Sequence, residues 1–205
     1  MKRAAFVIAL AACLVAGCGA APPAIWLVQS EPAERGEGAE RETTFRGELE
    51  TWTRRGESYE GFEGRLFVHA TLFSPRFIAR YAEHRAERES WTAERLASTQ
   101  VADAAHISAH TRALVALVPQ DGRWDDLGHD GTFHPTLTVD GHAFESNAVV
   151  RISDDDLADL ALYFPYLSSL STAYWVDFPA LKTPRELELQ IAGPPGVVTV
   201  AWTIK

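Results

Sequence analysis

The residues best equipped for chemistry crowd into one stretch, WDDLGHDGTFHPTLTVDGH, Trp124 to His142. It holds His129, His134 and His142, three of the chain's seven histidines, with Asp125, Asp126, Asp130 and Asp140. Imidazoles and carboxylates at this density are metal-capable, so the spacing has to decide between a metal centre and a polar loop running into a hairpin. Asp140-Gly141 between TLTV and HAFE is a two-residue turn signal. That turn sets Val139 opposite His142, Thr138 opposite Ala143 and Leu137 opposite Phe144. His142 then shares a face with Leu137, Val139 and Phe144, while period-two alternation puts His134 on the other face with Thr136 and Thr138. The two histidines cannot converge. What remains is His129 with Asp125, Asp126 and Asp130, and DDLGHDG departs from the D-x-[DN]-x-[DN]-G pattern of calcium loops. No metal is therefore expected. Trp124, Asp125, Asp126, His129 and Asp130 stand as a candidate loop for a ligand or partner.

Elsewhere the signals are structural. His106 and His110 are four apart, on one face if helical, but no glutamate completes H-E-x-x-H. Histidine there suits the carbonyl end of a helix dipole, and a solvated helix terminus is expected. There is no G-x-S-x-G, no S-x-x-K, no phosphate loop and no dinucleotide fingerprint. The serines of LSSLST (Leu167–Thr172) read as a loop, and Asp154, Asp155 and Asp156 as a solvated helix start. No catalytic residue and no cofactor are assigned, and the residues point away from an enzyme. Aromatic side chains are the other lead. Of six tryptophans, Trp202 lies on the apolar side of its strand and, with Trp175, is expected in a core; Trp52, Trp91 and Trp124 are undetermined. Exposed tryptophans could stack on sugar rings.

The first eighteen residues say most about location. Lys2 and Arg3 precede an apolar run from Ala4 to Val15, too short for a membrane core that needs about 20 apolar residues. A charged start, a short apolar middle and small residues before a cut describe a secretory signal peptide. Val15-Ala16-Gly17-Cys18 then resembles the lipobox of bacterial lipoproteins. That resemblance, confined to residues 1–18, implies removal of residues 1–17, acylation of Cys18 with palmitate among its lipids, and anchoring to a membrane. The implied location is the periplasmic face of the cell envelope. Gly19, where aspartate would retain the protein at the inner membrane, favours the outer one. Of two cysteines, Cys13 lies in the discarded part, so the mature chain has no internal disulfide. Loss of Lys2 and Arg3 takes the formal charge from −9 to −11. Such acidity repels phosphate backbones and excludes nucleic acid as a partner.

The elements that must position these groups begin after a spacer. Residues 18–42 carry the lipidated cysteine and a tether rich in proline, glycine, alanine and charge, interrupted by IWLVQS. One domain spans 43–205. TTFRGELETW is expected as its first strand and GRLFVHATLF, apolar on both faces, as a central second strand. Ser74-Pro75 starts a helical insertion over about 75–108, with a break near Ser90 and apolar stripes at Phe77, Ile78, Tyr81 and at Leu96, Val101, Ala105. TRALVALVP is a buried strand. After the DG hairpin, Ser153 caps a short helix that Pro165 stops. TAYWVDFPA, RELELQIAG and VVTVAWTI alternate with period two, the last pair joined at GPPG. The expected class is mainly β: an antiparallel immunoglobulin-like β-sandwich with a helical insertion after the second strand and one short helix. Its final strands loosely resemble immunoglobulin-like domains of envelope lipoproteins. The expected function is a lipid-anchored envelope protein acting as a non-catalytic interaction or assembly module. The alternatives are a glycan- or ligand-binding lipoprotein using exposed aromatics and, behind it, a metal-dependent hydrolase. Partners are the membrane, through the lipid on Cys18, and an envelope protein or glycan.

Overall fold

Alternating runs pair in the registers their periodicity demands. In the computed structural model, which describes residues 37–128, 130–181 and 184–204 with side chains from Thr44 onward, Asp140 and Gly141 both take positive φ, 46° and 86°. That is the mirror-image turn whose twist matches a hairpin, and it explains glycine at 141. The flanking strands β4 (His134–Val139) and β5 (His142–Glu145) pair Val139 with His142 and Leu137 with Phe144, as expected. Strands β8 (Glu186–Gly193) and β9 (Gly196–Thr203) form the second expected hairpin, with Leu187 opposite Trp202 and Gly193 opposite Gly196 across Pro194-Pro195. These four strands make one antiparallel sheet in the order β5-β4-β8-β9.

The other sheet has five strands. They are β1 (Thr53–Glu60), β2 (Glu63–Leu72), β3 (His110–Pro119), β6 (Ala148–Arg151) and β7 (Thr172–Pro179), in the order β1-β2-β3-β7-β6, with all neighbours antiparallel. One face meets the four-stranded sheet: Leu66, Val68, Val115, Leu117, Val176 and Phe178 share a core with Leu137, Leu189, Ile191, Val200 and Trp202. The sheets approach most closely at β1 and β9, where a Cβ on Gly56 would fall 2.4 Å from Val198 Cγ1. The opposite face is covered by helices, so β3 and β7 are buried on both sides. That is why ALVAL reads as an unbroken apolar run.

The helical layer consists, among the described residues, of α1 (Glu37–Trp52), α2 (Pro75–Arg88), α3 (Ala93–Ala109) and α4 (Asp154–Ala161). Phe45, Leu49, Phe77, Ile78, Tyr81 and Phe164 pack with Leu114 and Ala116 of β3 into a second core. Ser74 caps α2 by accepting from Phe77 N at 3.1 Å, and Ser153 caps α4 by accepting from Asp156 N at 3.2 Å. The break between α2 and α3 falls at Ser90, which takes φ 54°; Thr92 then caps α3. The mainly β class with antiparallel sheets holds.

Three expectations are corrected. TTFRGELETW is not the first strand but the body of α1, and the last residues assigned to the tether, 37–42, belong to the same helix. Phe45, Leu49 and Trp52 stand at i, i+4 and i+7, a helical period that places Phe45 and Leu49 on the buried side. The first strand is the polar TRRGESYE that follows. Second, the insertion is more than an added layer outside the core, since Phe77 of α2 is fully buried. Third, α3 turns the stripe Leu96, Thr99, Gln100, Asp103, His106 and Ile107 inward rather than Leu96, Val101 and Ala105; Val101 is 70% exposed. Spacings of five and four fall out of phase with 3.6 residues per turn. The signal peptide, Cys18 and residues 18–36 of the tether lie outside the described residues. None of the described helices is long and apolar enough to cross a membrane.

Candidate functional site

The acidic loop is tied into the fold. Leu127 inserts into the core between the sheets and bridges to Phe133, which is fully buried. Asp126 Oδ1 accepts from Thr132 N at 3.0 Å, and its backbone carbonyl accepts from Phe133 N at 3.0 Å. Hydrogen bonding from Thr132 holds the Asp126 carboxyl below the usual carboxylate range. The Asp125 carbonyl accepts from the Tyr174 hydroxyl, and its carboxylate lies 3.3 Å from Arg151 Nη2. Trp124 is half-buried against the same core, and Asp130 is exposed. His129 lies outside the described residues. Trp124 and Leu127 thus pack on the core between the two sheets, while Asp125 and Asp126 tie the loop to Tyr174 and Thr132. His134 and His142 are exposed on opposite faces of the β4–β5 ribbon, and among the described residues no three histidine, cysteine or acidic side chains are grouped to hold a metal.

A different set of residues converges under α3. Arg112 and Asp177 are cross-strand partners on β3 and β7, on the side of the sheet that faces the helices. The guanidinium meets the carboxylate fork to fork, Nε to Oδ1 and Nη2 to Oδ2 both at 2.7 Å, and lies over the Trp175 ring, 5.3 Å from its centroid. From α3, His106 Nε2 approaches Asp177 Oδ1 at 3.3 Å. Asp177 is only 8% exposed. Burial by itself would raise its carboxyl, but hydrogen bonds and charge from Arg112 and His106 outweigh burial and hold it below the usual range. The His110 ring lies 5.1 Å from that of His106, and its Nδ1 is buried without a partner among the described residues. The expected solvated helix end is therefore a polar joint between helix and sheet.

Between α3 and the sheet lies a cavity of about 180 Å³, lined by Phe73, Tyr81, Trp91, Trp175, Thr99, Asp103, His106 and Arg112 among others. Asp103 accepts no hydrogen bond among the described residues; burial raises its carboxyl, against the lowering charges of Arg85, His106 and Arg112. The cavity adjoins a hollow of about 570 Å³ that shares Tyr81, Arg85, Leu160 and Trp175 and runs toward Tyr163, Asp156 and Asp159. Arg85 stands at the junction. It binds Glu89 at 3.0 Å and lies over Trp91 and Tyr81, 4.8 and 5.6 Å from their centroids. Glu89 also accepts from Trp91 Nε1 at 2.7 Å and from the Tyr163 hydroxyl at 2.9 Å. A hollow of about 840 Å³ lies beyond Trp91 at the start of α3, where Arg80 and Glu83 form an ion pair along the helix surface at 2.7 Å.

The sequence carried a signal for this site. Arg112 opens a run of otherwise apolar strand residues, and Asp177 interrupts another. Two unlike charges in strands read as buried point to a mutual pair. Among the described tryptophans only Trp202 is buried between the sheets; Trp175 packs on the helical side, and Trp52, Trp91, Trp124 and Trp175 are half-buried.

No protein-family model matches the chain, and no curated protein matches it. Among solved structures it is similar to a protein of unknown function from Burkholderia pseudomallei, with 10% sequence identity over 81% of this chain and 84% of that one and a TM-score of 0.36. A likeness at that level carries no argument about fold or function.

Proposed function

We propose that the chain is a lipid-anchored protein of the bacterial cell envelope, attached through Cys18 on the periplasmic side. Its folded unit acts by binding, as an interaction or assembly module. One observation carries this reading: Lys2-Arg3, the apolar run Ala4–Val15 and V-A-G-C follow one another in the order of a lipoprotein signal. The absence of any cysteine after Cys18 leaves that sulfur with no internal disulfide partner once Cys13 is removed. Gly19 favours the outer membrane. The same reading takes the two sheets as an immunoglobulin-like sandwich, supported by their common core and by crossings of the chain between sheets at β3–β4, β5–β6 and β7–β8.

Metabolic labelling with an alkyne-bearing palmitate tests the anchor. The intact protein should take up label and sediment with membranes, whereas Cys18→Ser should be unlabelled and released from them. A Cys18→Ser protein that stays membrane-bound without acylation refutes the proposal.

The aromatic lining of the cavity beneath α3 favours a second reading, in which the module binds a small ligand or a glycan. Tyr81, Trp91 and Trp175 supply the apolar walls, and Thr99 and Asp103 supply polar side chains that make no hydrogen bond among the described residues.

A further inference from the structure

We propose that the cavity beneath α3 binds a single neutral, polyhydroxylated ring, the monosaccharide unit of a glycan, held by Thr99, Asp103 and Arg112 between aromatic walls. The inference rests on the ligand-binding reading and names its chemistry. Charge narrows the class. Arg112 is neutralised by Asp177 and Arg85 by Glu89, while Asp103 has no hydrogen-bonded partner among the described residues. An anion entering the cavity would meet the Asp103 carboxylate. A cation would meet the guanidinium groups of Arg85 and Arg112, which line the space while their carboxylate partners Glu89 and Asp177 do not. A wholly apolar guest would cut Asp103 and Thr99 off from water and leave both unsatisfied.

A sugar ring meets all of these conditions. Its hydroxyls donate to Asp103 and accept from Arg112, whose Nη1 makes no hydrogen bond among the described residues, and they exchange either role with Thr99. Its C–H faces pack on Tyr81, Trp91 or Trp175. Size agrees: about 180 Å³ is below the roughly 300–1,000 Å³ of pockets for drug-sized ligands, and so suits one ring. The adjoining hollow, which shares Trp175 and Tyr81, gives room for a chain to continue past α4. α3 forms the roof. None of its residues is fully buried, and its inward stripe is largely polar, an arrangement suited to a solvated guest rather than to core packing.

The test is saturation-transfer NMR and calorimetry on the full chain in a detergent without sugar groups. The probes are D-glucose, D-mannose and N-acetyl-D-glucosamine, with ethanolamine and acetate as charged counterparts. At least one sugar should bind, and Asp103→Ala and Thr99→Val should each weaken it about tenfold while melting as cooperatively as the parent. Sugar affinity unchanged in both folded variants overturns the proposal. Binding of ethanolamine in place of the sugars, abolished by Asp103→Ala, or binding of acetate in their place, overturns the saccharide class and leaves the ligand-binding reading standing. Silence of every probe with folded protein overturns the proposal and withdraws support from that reading as well. Anchoring through Cys18 is judged by acylation alone.

Discussion

Arg112 and Asp177 face each other on neighbouring strands, and with His106 they join the sheet to its helical roof. Removing Arg112 strips the buried Asp177 carboxylate of both guanidinium hydrogen bonds and leaves it only His106. Arg112→Ala should therefore cost about 3 kcal/mol in denaturant unfolding. The Arg112→Ala, Asp177→Ala double variant should cost less than the sum of the two single changes, because the second removal relieves the stranded charge. The depressed carboxyl of Asp177 also sets a pH dependence. Its contribution is present above the unfolded carboxylate range and fades as pH falls through its lower folded value. Asp103 works in the opposite sense. Burial raises its carboxyl, so the charged form opposes folding at neutral pH and that penalty disappears as the group takes up a proton. Asp103→Asn should raise the thermal midpoint at neutral pH, with a gain that shrinks on acidification; an equal gain at both pH values would contradict the account. Little of this site was legible in the linear order of residues. His106 and His110 were visible as a spaced pair. Asp177, the partner of His106, is separated from it by 71 positions, and only strand pairing brings Asp177 to Arg112.

At the level of elements, legibility followed the strength of local periodicity. The β8–β9 hairpin and the DG turn are recoverable because alternation and turn chemistry agree residue by residue. The caps of α2 and α4 are equally local, one serine in each case meeting an amide three residues on. At α1, Thr43-Thr44-Phe45 favours a strand locally, whereas the three apolar residues that matter are spaced for a helix and find their partners in α2 and β3. Gly47 distinguishes the two assignments. It lies in the interior of α1, exposed, with nothing within 4 Å of an added Cβ. Gly47→Ala should stabilise the protein by about 0.5–1 kcal/mol, the ordinary helical difference between these residues. A loss of stability on chemical denaturation would argue against the helix.

At the scale of the whole folded unit, β3 and β7 belong to both cores. Neither the four-stranded sheet nor the helical layer can leave without exposing them. Helix content followed by far-UV dichroism and the packing of Trp202 followed by near-UV signals should therefore change together across one denaturant transition. Separate midpoints would show that the layers unfold independently. By itself the sequence determined the β-rich class, the two clearest hairpins, the helix starts at Ser74 and Ser153, and the expectation of a lipid on Cys18. Each of these is written in residues adjacent or nearly so, where propensity, periodicity and capping act over a few positions. Tertiary structure alone decided which face of α3 turns inward, that α1 is a helix closing a second core, and that the acidic loop is a structural closure while a cavity opens elsewhere. Those outcomes depend on which distant surfaces are available to bury a side chain or satisfy a charge.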